Sequence, residues 1–146
     1  MGDWRGEEGR LSLLMAKFYQ QGQYTDVTFH LMDGSTVEAH KLILAVSNSV
    51  LEALFYGPMA ESGKTDFTIT AEPVAFRRFL SCIYNSSVPA WDIEDPHEFW
   101  DLLEVADMYI CKFVREFCLE NLDRSITQNL QSMEGIKVFR HLTFSS

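Results

Sequence analysis

Between Asp26 and Glu61 the spacing of apolar residues shifts from a strand period to a helical one, and the joints are residues that admit few backbone conformations. Val27, Phe29 and Leu31 alternate with Thr28 and His30, the period of a strand with one buried face. Asp33-Gly34 is a hairpin signal, so a second strand is expected around Thr36 to Glu38. A short helix is expected from about Lys41. A second should start at Ser49, where Ser49-Val50-Leu51-Glu52 has the form of a capping box. That helix carries Val50, Leu51, Leu54 and Phe55 inward. It should stop at Gly57-Pro58, with the glycine left-handed and the proline unable to continue the helix. Met59 then begins a loop. A hairpin followed by helices is the order of an α+β fold.

The flanks extend this scheme. Residues 1–10 hold three glycines and five charges with little apolar content, and are expected to form a flexible N-terminal tail. Leu11, Leu14, Met15, Phe18 and Tyr19 fall at i, i+3, i+4, i+7 and i+8, one face of an amphipathic helix ending near Gly22. Downstream, Phe67 and Ile69 mark a short strand, and Pro73 is suited to the first position of a helix whose core face is Phe76, Phe79, Leu80, Ile83 and Tyr84. After a loop from Val88 to Glu94, Asp95-Pro96-x-Glu98 reads as an N-cap, an N1 proline and a first-turn acid. Two consecutive helices follow, broken near Tyr109. Past Leu122 the chain grows more polar, then regains Ile136, Phe139 and Leu142 at roughly helical spacing.

Composition excludes several function classes. A chain of 146 residues with 47% hydrophobic content suits one domain burying roughly 70% of its unfolded surface. The net charge of −9 opposes nucleic-acid binding, which draws on clustered Lys and Arg; the longest basic cluster is Arg77-Arg78. Three cysteines without a CxxC spacing fit a reducing compartment, so a cytoplasmic or nuclear location is expected. The first ten residues carry no apolar signal region, and the longest apolar run, Leu42 to Val46, is far short of the roughly 20 residues that span a bilayer.

Candidate chemistry is sparse. Asp26 and His40, with Ser47 or Ser49 nearby, suggest part of a hydrolase triad, but no nucleophile elbow or oxyanion loop accompanies them, so no catalytic residue is assigned. They read better as a buried polar clamp, the carboxylate accepting from the imidazole and tying the hairpin to the next helix. His30, His40, His97 and His141 share no ligand spacing with one another or with cysteine, so neither metal nor cofactor is expected. Cys111 and Cys118, seven apart, read as small core residues on one helix face.

The order Asp26-Val27, Ala39-His40-Lys41, Leu44-Ala45, Ser49, and Ala53-Leu54-Phe55 running into Met59-Ala60-Glu61 resembles the core of a BTB/POZ domain. The resemblance implies a BTB/POZ fold, a small β-sheet flanked by a cluster of α-helices, spanning residues 11–122. Residues 123–146 resemble, more loosely, the start of a 3-box or BACK-like helical extension. It also implies that the first helix, through Leu11, Leu14, Met15, Phe18 and Tyr19, packs against or exchanges with a second copy to form a homodimer. Asp26 and His40 keep their structural role. Met59, Ala60 and Glu61 match the hydrophobic-x-Glu pattern of BTB proteins that bind cullin-3. The implied function is a substrate adaptor of a ubiquitin ligase, the recruited substrate protein being unknown. The alternatives are a dimer that captures transcriptional co-repressors and a pure oligomerisation module.

Overall fold

The computed structural model describes residues 10–132, with backbone alone for residues 129–132. The expectations for residues 1–9 and for the chain past Ser132 lie outside the described residues.

Helix α1 (Arg10–Gln21) ends in a left-handed glycine, as expected. Gly22 has φ +65°, its N–H donates to the Tyr19 carbonyl (3.2 Å), and that of Gln23 to the Phe18 carbonyl (2.9 Å). Strands β1 (Val27–His30) and β2 (Thr36–Ala39) pair antiparallel with Phe29 opposite Val37. Asp33 Oδ1 fixes the turn between them by accepting from the Ser35 amide (3.0 Å), while Gly34 supplies φ +85°. Strand β3 (Asp66–Thr68) then adds to the other side of β1 in parallel, so the sheet order is β2-β1-β3. A parallel pairing needs a crossover, and α2 (Lys41–Ser47) and α3 (Ser49–Tyr56) provide it.

Two end signals of α3 differ from the sequence expectation. The cap is Asn48, one residue before the expected Ser49–Glu52 box: its Oδ1 accepts from the Leu51 amide (3.0 Å) and its Nδ2 donates to the Tyr109 carbonyl (2.9 Å). A buried amide satisfies both a helix end and a distant loop, which a serine hydroxyl is too short to do. Gly57 is extended (φ −71°, ψ 170°), not left-handed. Glycine is needed there for space, because a Cβ would lie 2.4 Å from the Ala53 carbonyl oxygen.

Helix α4 (Pro73–Asn85) begins at its proline, capped by Glu72, and runs through the core with Phe76, Phe79, Leu80, Ile83 and Tyr84 buried. Phe29 of the sheet is fully buried and meets the Phe76 ring edge-on at 5.2 Å. Helices α5 (Pro96–Met108) and α6 (Lys112–Ser132) form a hairpin broken at Tyr109, as its sequence predicts. Ile110 occupies the left-handed position (φ +51°) that glycine usually takes at a helix end. Helix α6 continues without interruption through Leu122 and Asp123, so the polar shift there marks no break in the helix.

Candidate protein-interaction surfaces

The segment after α3 is built to display one side chain. Because Gly57 lies against the Ala53 carbonyl, the chain leaves the helix at once, and the Ala60 amide closes a turn onto the Gly57 carbonyl (3.0 Å). Pro58 occupies the second turn position, where its fixed φ costs nothing, and Met59 the third. Met59 is 94% exposed, more than any other large apolar residue described. Ala60 is half-buried and Glu61 exposed, its carboxylate only loosely engaged by Lys64 at 3.9 Å. An exposed i, i+3 pair at that distance contributes little, so Glu61 stays available to another donor. Lys41 pins the far end of the loop by donating from Nζ to the Lys64 carbonyl (2.5 Å).

Beside this turn lies an apolar groove that the sequence did not reveal. Leu42 and Val46 of α2, with Tyr56 and Pro58, line a depression of about 370 Å³ between α2 and α3. Leu42, Val46 and Tyr56 are all exposed. In the run Lys41 to Val46 nearly every residue is apolar, so periodicity could not separate the inward Leu44 and Ala45 from the outward pair.

The expected seam on α1 divides in two. Ala16 is its buried residue; Met15 and Tyr19 pack on the protein's own core, Tyr19 stacking on Tyr84 with ring centroids 4.2 Å apart. Burial pushes the Tyr19 hydroxyl up to about 12. Leu11 is exposed, and Leu14 and Phe18 half-buried, Phe18 meeting the exposed Tyr24 edge-on at 5.2 Å. The sequence read five residues as one face, whereas α1 already spends two of them on α4 and the core.

Asp26 and His40 are not each other's partners. Asp26 Oδ1 accepts from the Lys41 amide (2.8 Å) and is exposed. His40 is buried, with Nε2 2.6 Å from the Gln23 carbonyl oxygen and Nδ1 2.7 Å from the Tyr84 hydroxyl. The direct clamp is therefore corrected: the carboxylate starts α2, and the histidine ties the α1–β1 link to α4. Tyr84 is the member the sequence missed, because it reads there as one more apolar position on a helix face. Burial raises the Tyr84 hydroxyl's pKa.

Cys82, Cys111 and Cys118 are all buried free thiols, with Cys111 in the turn before α6 rather than on the helix. Burial, with the neighbouring thiols adding, pushes Cys82 up to about 12, and burial does the same to Cys118. No group of acidic, histidine or cysteine side chains among the described residues could hold a metal ion. The surfaces singled out by this geometry are two apolar helix faces and a hydrogen-bonded turn with an exposed thioether, features suited to binding protein.

The fold and these surfaces define a compact protein-interaction module. A family model described as BTB/POZ domain matches residues 15–126, and the chain belongs to that family. Among curated relatives, BTB/POZ and MATH domain-containing protein 6 of Arabidopsis thaliana is 29% identical over 119 residues, covering 72% of this chain and 28% of that protein. BTB/POZ domain-containing protein 9 of Drosophila melanogaster is 28% identical over 140 residues, 87% of this chain and 19% of the relative. BTB/POZ domain-containing protein 6 of Homo sapiens is 34% identical over 91 residues, 62% and 16% respectively. The chain thus spans less than a third of the length of these relatives. A solved structure, the BTB domain of zebrafish PATZ1, superposes with a TM-score of 0.66 at 20% identity, covering 86% of this chain and 98% of that one, which shows the fold.

Proposed function

We propose that this BTB/POZ domain homodimerises through the outer face of α1 and docks the N-terminal region of cullin-3 through the Met59–Glu61 turn, serving as a substrate adaptor for ubiquitin ligation. The observation that carries the docking is the turn itself. Its preset Pro58, the 94% exposure of Met59 and the loosely held Glu61 present an apolar probe and a carboxylate on one hydrogen-bonded turn. A thioether fills irregular pockets well, and a carboxylate two residues on pairs with donors at a pocket rim. Leu11, Leu14 and Phe18 supply the apolar surface for a second copy, with Met15 and Tyr19 holding the helix to its own domain. The contribution is geometric: the adaptor holds a recruited protein near the charged ubiquitin carrier. One curated relative carries a MATH domain by name, so the substrate-recognising part fits a module beyond these residues.

Titration of the purified cullin-3 N-terminal region tests the reading. Submicromolar binding is expected to fall at least roughly tenfold with Met59→Ala or Glu61→Lys while light scattering still reports a dimer. No binding by a wild-type dimer would reject the adaptor role and leave the co-repressor and oligomerisation readings. A monomer at micromolar concentration would reject dimerisation.

A further inference from the structure

We propose that Met59 is a modification site: among the described residues its thioether is the first group to react with a hydroperoxide, and conversion to the sulfoxide switches off docking at the turn.

Susceptibility to this oxidation follows access, and the residues divide sharply by access. Among the methionines of the described residues, Met59 is 94% exposed at the apex of the Pro58 turn, against 64% for Met32 and 51% for Met108, and Met15 is packed on the core. Cysteine is ordinarily the preferred target, but only as an accessible thiolate. Here Cys82, Cys111 and Cys118 are buried, and burial raises the pKa of all three thiols, which keeps them protonated. The surface chemistry that oxidants meet is therefore that of methionine.

The step balances simply. The sulfur lone pair attacks the terminal peroxide oxygen, the O–O bond breaks, and the leaving hydroxide or alkoxide takes up the proton of the transferred oxygen. The sulfide gains one oxygen and two oxidation levels, and the hydroperoxide is reduced to water or an alcohol. Thiol-dependent methionine sulfoxide reductases, one for each sulfoxide epimer, together reverse it. The product carries a strong, polar acceptor where an apolar probe stood, and seating it in an apolar pocket leaves that acceptor without a donor.

The loss of docking rests on the cullin-3 reading, whereas the site of oxidation does not, so the experiment separates them. The folded chain is treated with dilute hydrogen peroxide and followed by peptide mapping. Met59 should gain oxygen before Met32 and Met108, with the three cysteines unmodified. Oxidation of Met32, Met108 or a cysteine first would overturn the site. The treated protein is then titrated with the cullin-3 N-terminal region. Affinity should fall roughly tenfold or more and return after incubation with both epimer-specific reductases and dithiothreitol. The M32L/M108L double variant, changed only outside the turn, should bind like wild type before peroxide and lose affinity equally after it. Met59→Leu, whatever its own starting affinity, should be indifferent to peroxide. A protein oxidised at Met59 that still binds at full affinity overturns the switch. An untreated protein that does not bind overturns the docking reading and the switch with it, and leaves the mapped site standing.

Discussion

Tyr84→Phe removes one oxygen and should cost far more than a surface hydroxyl. The Gln23 carbonyl can only accept, so the His40 Nε2 beside it carries a proton, and in that tautomer Nδ1 is the acceptor. The Tyr84 hydroxyl must donate to that Nδ1 at 2.7 Å, and it simultaneously accepts from the His40 backbone N–H at 2.8 Å. Deleting the oxygen strands two polar groups of a histidine that is 8% exposed. Each unsatisfied buried group costs about 1–3 kcal/mol, so stranding two should cost roughly 2–6 kcal/mol. For a domain of this size that lowers the melting temperature by roughly 10 °C. The phenyl ring keeps its stack on Tyr19, which isolates the hydrogen bonds from the packing. Differential scanning calorimetry provides the number, and a double-mutant cycle with His40→Ala should show a coupling of at least about 1 kcal/mol. The companion cycle of Asp26→Ala with His40→Ala should be additive, since those side chains share no hydrogen-bond partner. A Tyr84→Phe melting temperature within roughly 2 °C of wild type would refute the network as a source of stability.

Two glycines should fail for different reasons. Gly57→Ala keeps an allowed backbone but forces a methyl to within 2.4 Å of the Ala53 carbonyl oxygen, so the last turn of α3 must open at a cost of about 1–3 kcal/mol. Gly34→Ala meets nothing within 4 Å but sits at φ +85°, a conformational cost of roughly 1–2 kcal/mol. Urea midpoints check both; equal tolerance of alanine at Gly57 and at an ordinary exposed helix position would refute the steric argument. Acid should weaken the fold through Asp33 and Asp66. Hydrogen bonds from Ser35 hold the Asp33 carboxyl below its ordinary value of 3.8, and those from His30 and Thr65 do the same for Asp66. A depressed folded pKa means the unfolded chain binds more protons. The stabilisation is therefore complete above about 3.8 and lost as pH falls through the folded values. Asp33→Asn with Asp66→Asn should flatten the stability–pH slope below pH of about 4, and an unchanged slope would contradict it.

The elements written in strong punctuation were legible in the sequence. Pro73 and Pro96 begin their helices, Gly22 ends α1 in the left-handed conformation, and Asp33-Gly34 turns the hairpin. The five apolar positions of α4 are buried because a 13-residue helix with a wide stripe leaves little choice of face. What failed was partner choice. A buried histidine needs two partners, and Asp26, so close in the strand pattern, was an economical candidate. The partner chosen lies 44 residues away on α4, where the hydroxyl of Tyr84 is invisible behind the apolar role of its ring. The same blindness affected Asn48, whose amide reaches Tyr109 across 61 residues. Periodicity reports which face is inward; it carries no information on which distant polar atom waits there.

That distinction also explains why the surfaces are harder to read than the core. Ile110 shows the difficulty in one residue. A β-branched side chain at φ +51° is strained where glycine would be relaxed, and it is 76% exposed, so its own packing does not hold it there. The hydrogen bonds around it do: the Cys111 amide reaches the Ala106 carbonyl at 2.8 Å, and Asn48 fixes the Tyr109 carbonyl from the other side. The turn is thus overdetermined by its neighbours, so its tip residue need not be chosen for backbone comfort. The Met59 turn follows the same logic, with Gly57 and Pro58 setting the backbone and leaving the apex residue unconstrained by the fold. Where the scaffold fixes the backbone and not the side chain, sequence statistics for folding say nothing about that side chain, and only its exposed chemistry indicates what it meets.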